Sequence, residues 1–248
     1  MINVIDYVDG ATFLHRLNPV SKLALATGII VATFLAQSFP ALIGLLALTL
    51  ALGAYAGVLG RLASLLRVLA PLALLMLVLQ SVFVQGGAPL FAFFTTEGVA
   101  SGARASLRLL GVALPLVLAL MVTRPNDLAN ACVEVLHVPY HYAFAFTTVL
   151  RFVPVFSQEM DAIMEAQTAR GVAFDTKNPL KKMRLMLPLC IPLLLSSVAK
   201  TDASALAAEQ RGFYLRGRDS AYKRYPMRGA DMAACVAAAA LVCAGALL

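Results

Sequence analysis

A chain of 248 residues that is 60% hydrophobic and only 13% charged, with a mean hydropathy of +0.82, is excluded from the ordinary soluble class and belongs among membrane proteins. The formal net charge of +7 requires no nucleic acid, because a basic surface under an anionic inner leaflet accounts for it. Cys132, Cys190, Cys235 and Cys243 lack Cys-x-x-Cys spacing and sit in apolar or helical surroundings, so they read as buried free thiols.

The opening "MINVIDYVDGATFLHRLNPVSK" has acidic residues, no short apolar core and no small-residue cleavage site, so the expectation is an uncleaved start and a first span that stays. Roughly 18 apolar residues are enough to cross a hydrocarbon core as a helix. Residues 23–39 and 41–59 qualify and meet at a turn around Ser38-Phe39-Pro40. Residues 68–84 give a third span that stops before Gly86-Gly87-Ala88-Pro89. A fourth, 109–123, reaches back to Ala105 if Arg108 snorkels, and 232–248 forms a fifth. Residues 1–124 therefore read as four transmembrane helices and 229–248 as a C-terminal one.

Charge orients these spans. Arg16 and Lys22 precede the first, Arg61 and Arg67 separate the second from the third, and fourteen of the twenty Lys and Arg fall between Arg124 and Arg228. Basic loops stay inside, which puts the N-terminus and 124–228 in the cytoplasm and the loop 85–98 outside. Arg104 and Arg108, four apart on one helix face at the outer end of the fourth span, read as interfacial anchors.

Residues 125–228 are too long for a simple loop and too periodic for disorder. "RPNDLANACVEVLHVPYHY" predicts a short amphipathic helix, with Asn126 as N-cap and Leu128, Cys132, Val135 and Leu136 on one face up to Pro139. A long helix runs from about Tyr140 to Arg170, where Gly171 stops it, with a bend at Pro154. "DTKNP" is a turn, and another helix runs from Pro179 to about Arg211, kinked at Pro188 and Pro192 and stopped by Gly212. Residues 183–199 are apolar, but Arg184, two prolines and Ser196-Ser197 favour a helix at the inner surface over a further span.

The two long helices end alike. Aligning Arg170 with Arg211 superposes Gly171 on Gly212 and brings small residues into correspondence, Ala162 and Ala166 on one helix with Ser204, Ala205 and Ala208 on the other. Small residues let helix backbones approach closely. Helices crossing through such patches would present two arginine tips related by an approximate two-fold. One Arg-Gly pair is explained by the helix dipole and a glycine stop; a matched pair suits a symmetric partner with two equivalent pockets.

These features resemble the transmembrane coupling subunit, or T component, of energy-coupling factor (ECF) transporters. The resemblance rests on "FLHRLNPVSKLAL", "RPNDLANACVEVLHVPYHYAFAFTTVLRFVPVF", "EAQTARG" and "EQRGF" and covers nearly the whole chain. The family's Asp-Pro-Arg-x-Lys appears here as Asn18-Pro19-Val20-Ser21-Lys22, and Gln210 replaces the alanine of the second Ala-Arg-Gly motif. The resemblance implies an all-α membrane protein with about five spans and a cytoplasmic coupling domain of two long crossed helices and a short one. It implies that Ala169-Arg170-Gly171 and Gln210-Arg211-Gly212 dock into two cytoplasmic ABC ATPases, which hold the ATP and Mg, while this chain holds no cofactor. The spans would contact a membrane-embedded S component that binds a vitamin or a nickel or cobalt ion, in the cytoplasmic membrane of a bacterium or archaeon.

Other functions lack residues to carry them. There is no GxxxxGK[ST], and Gly57-Val58-Leu59-Gly60-Arg61 lacks the spacing and the lysine. No predicted span holds an acidic residue for a proton or cation relay. Glu134, His137 and His141 have metal-like spacing, but Pro139 breaks the helix between the histidines; His15 reads as an interfacial polar residue. A permease of a conventional binding-protein-dependent ABC importer would explain Glu165-Ala166 and Gly171 and leave Arg211-Gly212 without a role.

Overall fold

The computed structural model describes residues 10, 12–84, 86, 89–91, 94–174, 178–215 and 224–247. In chain order these form α1 (Phe13–Arg16), α2 (Pro19–Leu35), α3 (Phe39–Tyr55), α4 (Leu59–Phe83), strands β1 (Pro89–Phe91) and β2 (Phe94–Thr95), α5 (Thr96–Val122), α6 (Pro125–Val135), α7 (Tyr140–Ala169), α8 (Pro179–Met186), α9 (Cys190–Gln210) and α10 (Gly229–Leu247). The strands form a two-stranded antiparallel pair on an otherwise all-α membrane protein. The chain divides into two compact units, one of residues up to His137 together with those from Tyr225, the other of Val138–Arg224. The short helix α6, grouped with the coupling helices on sequence grounds, thus packs within the first unit, against α2.

The five expected spans correspond to α2, α3, α4, α5 and α10. The chemistry at their ends moves several boundaries. α2 stops at Leu35, and Ser38 leads into α3, which carries Pro40 in its first turn, so the first span ends short of residue 39. α3 stops at Tyr55, because Gly57 takes a left-handed φ of 75° and turns the chain into α4. α4 begins at Leu59 and carries Arg61 and Arg67 within its first turns, ahead of the apolar run. α5 extends back to Thr96, where the Thr95 hydroxyl accepts the Gly98 N–H at 3.2 Å. In α6 the N-cap position falls on Arg124 with Pro125 following, which displaces Asn126 into the first turn. The turn expected at 175–179 lies mostly outside the described residues, as does the segment 1–9.

α4, α5, α10 and the stretch Met183–Gln210 are long and apolar enough to cross a membrane, while α2 and α3 are apolar helices of 17 residues. Their outer faces carry the large apolar side chains that a soluble fold would bury: Phe34, Val68, Leu74, Phe83 and Val236 are all exposed.

Within this unit α5 packs against α2, α3 and α4, and α10 packs against α2. Small residues set these approaches. A Cβ on Gly102 of α5 would stand 2.6 Å from the Leu77 carbonyl oxygen of α4, and one on Gly245 of α10 would stand 2.7 Å from the Ala32 oxygen of α2. Between α5 and α4, the Ser106 hydroxyl donates to the Ala73 carbonyl at 2.7 Å. Arg108 does more than snorkel: its Nη2 donates to the Ala36 carbonyl at 2.9 Å, where α2 ends. Arg104 lies 5.4 Å from the centre of the Phe39 ring, at the start of α3. The two arginines thus brace the turn between the first two spans.

The four cysteines are free, but none is buried as expected: Cys132 and Cys235 are half-buried, and Cys190 and Cys243 are exposed on outward helix faces.

Candidate functional site

The second unit contains both arginine motifs. α7 ends at Ala169 and α9 at Gln210, one residue before Arg170 and Arg211 in turn. The arginines share one backbone conformation, φ −82° and ψ 6° at Arg170 against φ −86° and ψ 11° at Arg211. Each is followed by a glycine at positive φ, 92° at Gly171 and 74° at Gly212. A Cβ on Gly171 would meet nothing within 4 Å, so the backbone conformation, not crowding, calls for glycine. Corresponding N–H groups close the two turns, Gly171 to the Thr168 oxygen and Gly212 to the Glu209 oxygen, both at 2.9 Å. Ala169, Arg170, Gln210 and Arg211 are exposed, and neither guanidinium has a hydrogen-bond or ion-pair partner among the described residues. The result is two copies of one feature: a free planar donor group at a helix end, pointed by a tight glycine turn.

Named contacts fix how the helices run. Near the middle, the Glu159 carboxylate of α7 accepts hydrogen bonds from Ser196 Oγ and Lys200 Nζ of α9. Lys200 holds the Glu159 carboxyl below its ordinary range, with help from Ser196. Toward the start of α7, Tyr140 and Phe144 stack on Phe213, with ring centres 5.6 Å and 4.9 Å apart. Moving back along α7 from Glu159 to Phe144 therefore moves forward from Lys200 in α9 to Phe213, just past its end, and the helices run in opposite directions. Arg170 and Arg211 stand at opposite ends of the pair. Pro188 lies in the 3-10 turn Leu187–Leu189 that joins α8 to α9 and also contacts α7. The small residues expected at the crossing lie elsewhere: Ala162, Ala166 and Ala205 are exposed, Ser204 and Ala208 are half-buried, and the side-chain contacts between the helices use charged and aromatic groups instead.

Asn18 and Lys22 of the entry motif belong to polar bonds in the first unit that no local sequence pattern joins. Asp231, 2% exposed in the first turn of α10, accepts Asn18 N–H at 2.7 Å through Oδ1 and Arg228 N–H at 2.8 Å through Oδ2. Asn18 caps α2 by accepting Val20 N–H at 3.0 Å, and its amide donates to the Tyr225 carbonyl at 2.8 Å. An aspartate at this position would have no side-chain N–H for that second bond, so the asparagine has a specific use here. Tyr225 in turn donates its hydroxyl to Asp127 at 2.6 Å and its N–H to Glu134, both on α6. Burial, then the bond to Asp127, pushes the Tyr225 phenol above its ordinary pKa and keeps it a donor. Lys22, almost fully buried, donates to the carbonyls of His15 at 3.0 Å and Val122 at 3.1 Å, the latter at the end of α5. The signal lay in a lone lysine and a lone aspartate at the heads of two apolar helices.

Glu134, His137 and His15 are engaged in hydrogen bonds. Glu134 is bonded to Tyr225, His137 Nδ1 pairs with the Val135 carbonyl at 3.1 Å, and His15 Nδ1 pairs with Thr12 Oγ1 at 2.7 Å. Among the described residues no three His, Cys, Asp or Glu gather as metal ligands.

The apolar helices, four of them long enough to cross a membrane, define a multi-pass membrane protein. The sequence profile of the family described as CbiQ, cobalt transport protein, matches residues 10–221. The chain is 31% identical to the energy-coupling factor transporter transmembrane protein EcfT of Clostridium kluyveri over 98% of its own length and 94% of that relative. It is 36% identical to the protein of the same name from Acidaminococcus fermentans, covering 83% and 81% of the two chains, and 34% identical to that of Brevibacillus brevis, covering 84% and 83%. The chain belongs to this family, as the transmembrane component of an energy-coupling factor transporter.

Proposed function

We propose that the chain couples two cytoplasmic ATPases to a membrane-embedded, substrate-binding S component, with Arg170 and Arg211 each seated in a groove of one ATPase. The supporting observation is the duplicated helix end: the same arginine conformation, the same left-handed glycine and a free guanidinium, at the two ends of one antiparallel pair. A planar guanidinium forms several directed hydrogen bonds and can pair bidentately with a carboxylate. ATP, Mg and hydrolysis belong to the partner chains. Their closure would shift both helix ends and pass the motion to the spans.

The N-terminus and residues 124–228 face the cytoplasm of a bacterial or archaeal cell. Met183–Gln210 has the lowest hydropathy of the four apolar stretches, 1.5 against 2.0 to 2.4, and α7, its partner, is not among them. An ion-paired helix whose partner does not span fits the inner surface better than a further crossing. The cargo, a vitamin or a nickel or cobalt ion, is chosen by the S component. A conventional importer permease would need one docking loop and leave the second arginine end idle.

Arg170→Ala combined with Arg211→Ala is expected to abolish co-purification of the ATPases while the membrane part still folds. Undiminished ATP-driven uptake by that double variant would refute the assignment.

A further inference from the structure

The alignment that brings Arg170 onto Arg211 also brings Glu159 onto Lys200, since each lies eleven residues before its arginine. These two residues are bonded to each other. In a two-fold arrangement a residue touches its own equivalent only on the axis. The Glu159–Lys200 contact therefore marks the axis of the α7–α9 pair, with the two arginines about 16 Å away along their helices at 1.5 Å rise per residue. Two identical chains would set like charges against each other at such a point. A single chain with a duplicated motif can place opposite charges there, and this one does.

Little else holds the helices at that point. In α7 only Ala143 is buried and in α9 no residue is. The pair is partly exposed, and ion pairs of that kind add little stability. What it supplies is geometry: Glu159 takes Lys200 and Ser196 together, which fixes both the axial register and the rotation of α9 against α7.

We infer that Glu159, Lys200 and Ser196 form the pivot of the coupling helices, positioning residues that keep the two arginine ends equidistant from the crossing so that both ATPases move the pair in step. This rests on the docking role given to Arg170 and Arg211. Loosening the pivot leaves both docks intact and lets each arginine move independently, so ATP is hydrolysed without matching transport.

Two measurements on Glu159→Lys, Lys200→Glu and their combination test this. In the full chain in nanodiscs, with the four cysteines replaced by serine and spin labels at Ala173 and Tyr214, each single variant should broaden the inter-label distance distribution and the double variant should narrow it again. In proteoliposomes of the whole transporter, each single variant should retain its ATPases and raise several-fold the ATP consumed per substrate imported, with restoration in the double variant. Glu159→Gln, a milder change that covers any folding failure of the reversals, should fall between. Single variants with the unaltered distribution and stoichiometry, or a double variant no better than the singles, would overturn the pivot. ATPases that stay bound when both arginines are removed would instead overturn the docking role, and the distance measurement, made without ATPases, would still judge the pivot.

Discussion

The spanning unit and the coupling unit are both helical and both rich in small residues, yet they are held together by different physics. In the spans, backbones touch: Gly102 lies against the Leu77 carbonyl, Gly245 against that of Ala32, and Ser106 bonds across to Ala73. In the coupling pair, Ala162, Ala166 and Ala205 face outward, and α7 meets α9 and the turn after it through a carboxylate, an ammonium, a hydroxyl and three aromatic rings. Close backbone packing with buried polar bonds makes a rigid frame. A polar contact and an aromatic contact between otherwise exposed helices make a joint that can pivot.

Three substitutions probe this contrast, read as thermal stability in detergent. Gly102→Leu should have the largest effect, because a side chain must enter where even a Cβ is 2.6 Å from backbone; loss of folded protein on size exclusion is expected. Lys22→Met comes next. It leaves the buried Val122 carbonyl without its donor, at about 1–3 kcal/mol, and the half-buried His15 carbonyl as well, at less. Ala162→Leu should be nearly silent, within about 0.5 kcal/mol as for other exposed positions. A large loss at Ala162 would mean that small-residue packing does extend into the coupling helices, and the contrast would fail.

These cases also show what a sequence can and cannot tell. Each of the five expected apolar runs falls on an apolar helix, because composition reveals directly the length the bilayer requires. Their ends were less legible: Arg61 and Arg67 continue the helix of α4 beyond its apolar part, and hydropathy marks where lipid begins, not where the helix does. The arginine ends were legible because a helix stop is local chemistry, an arginine and a glycine side by side. The small-residue patterns were not separable, since Gly98, Gly102 and Ser106 on α5 look in sequence much like Ala162 and Ala166 on α7, and only the neighbouring helix decides which set is buried. The cluster around Asp231 joins residues more than 200 apart in the chain, beyond the reach of any local pattern.

The central claim is that two equivalent arginine ends dock two ATPases, and the most direct measurement is the number of ATPase copies retained per chain, by native mass spectrometry of the purified transporter. Two copies are expected with the unaltered chain, weakened or single occupancy with Arg170→Ala or Arg211→Ala alone, and none with both. Two copies retained by the double variant would contradict it.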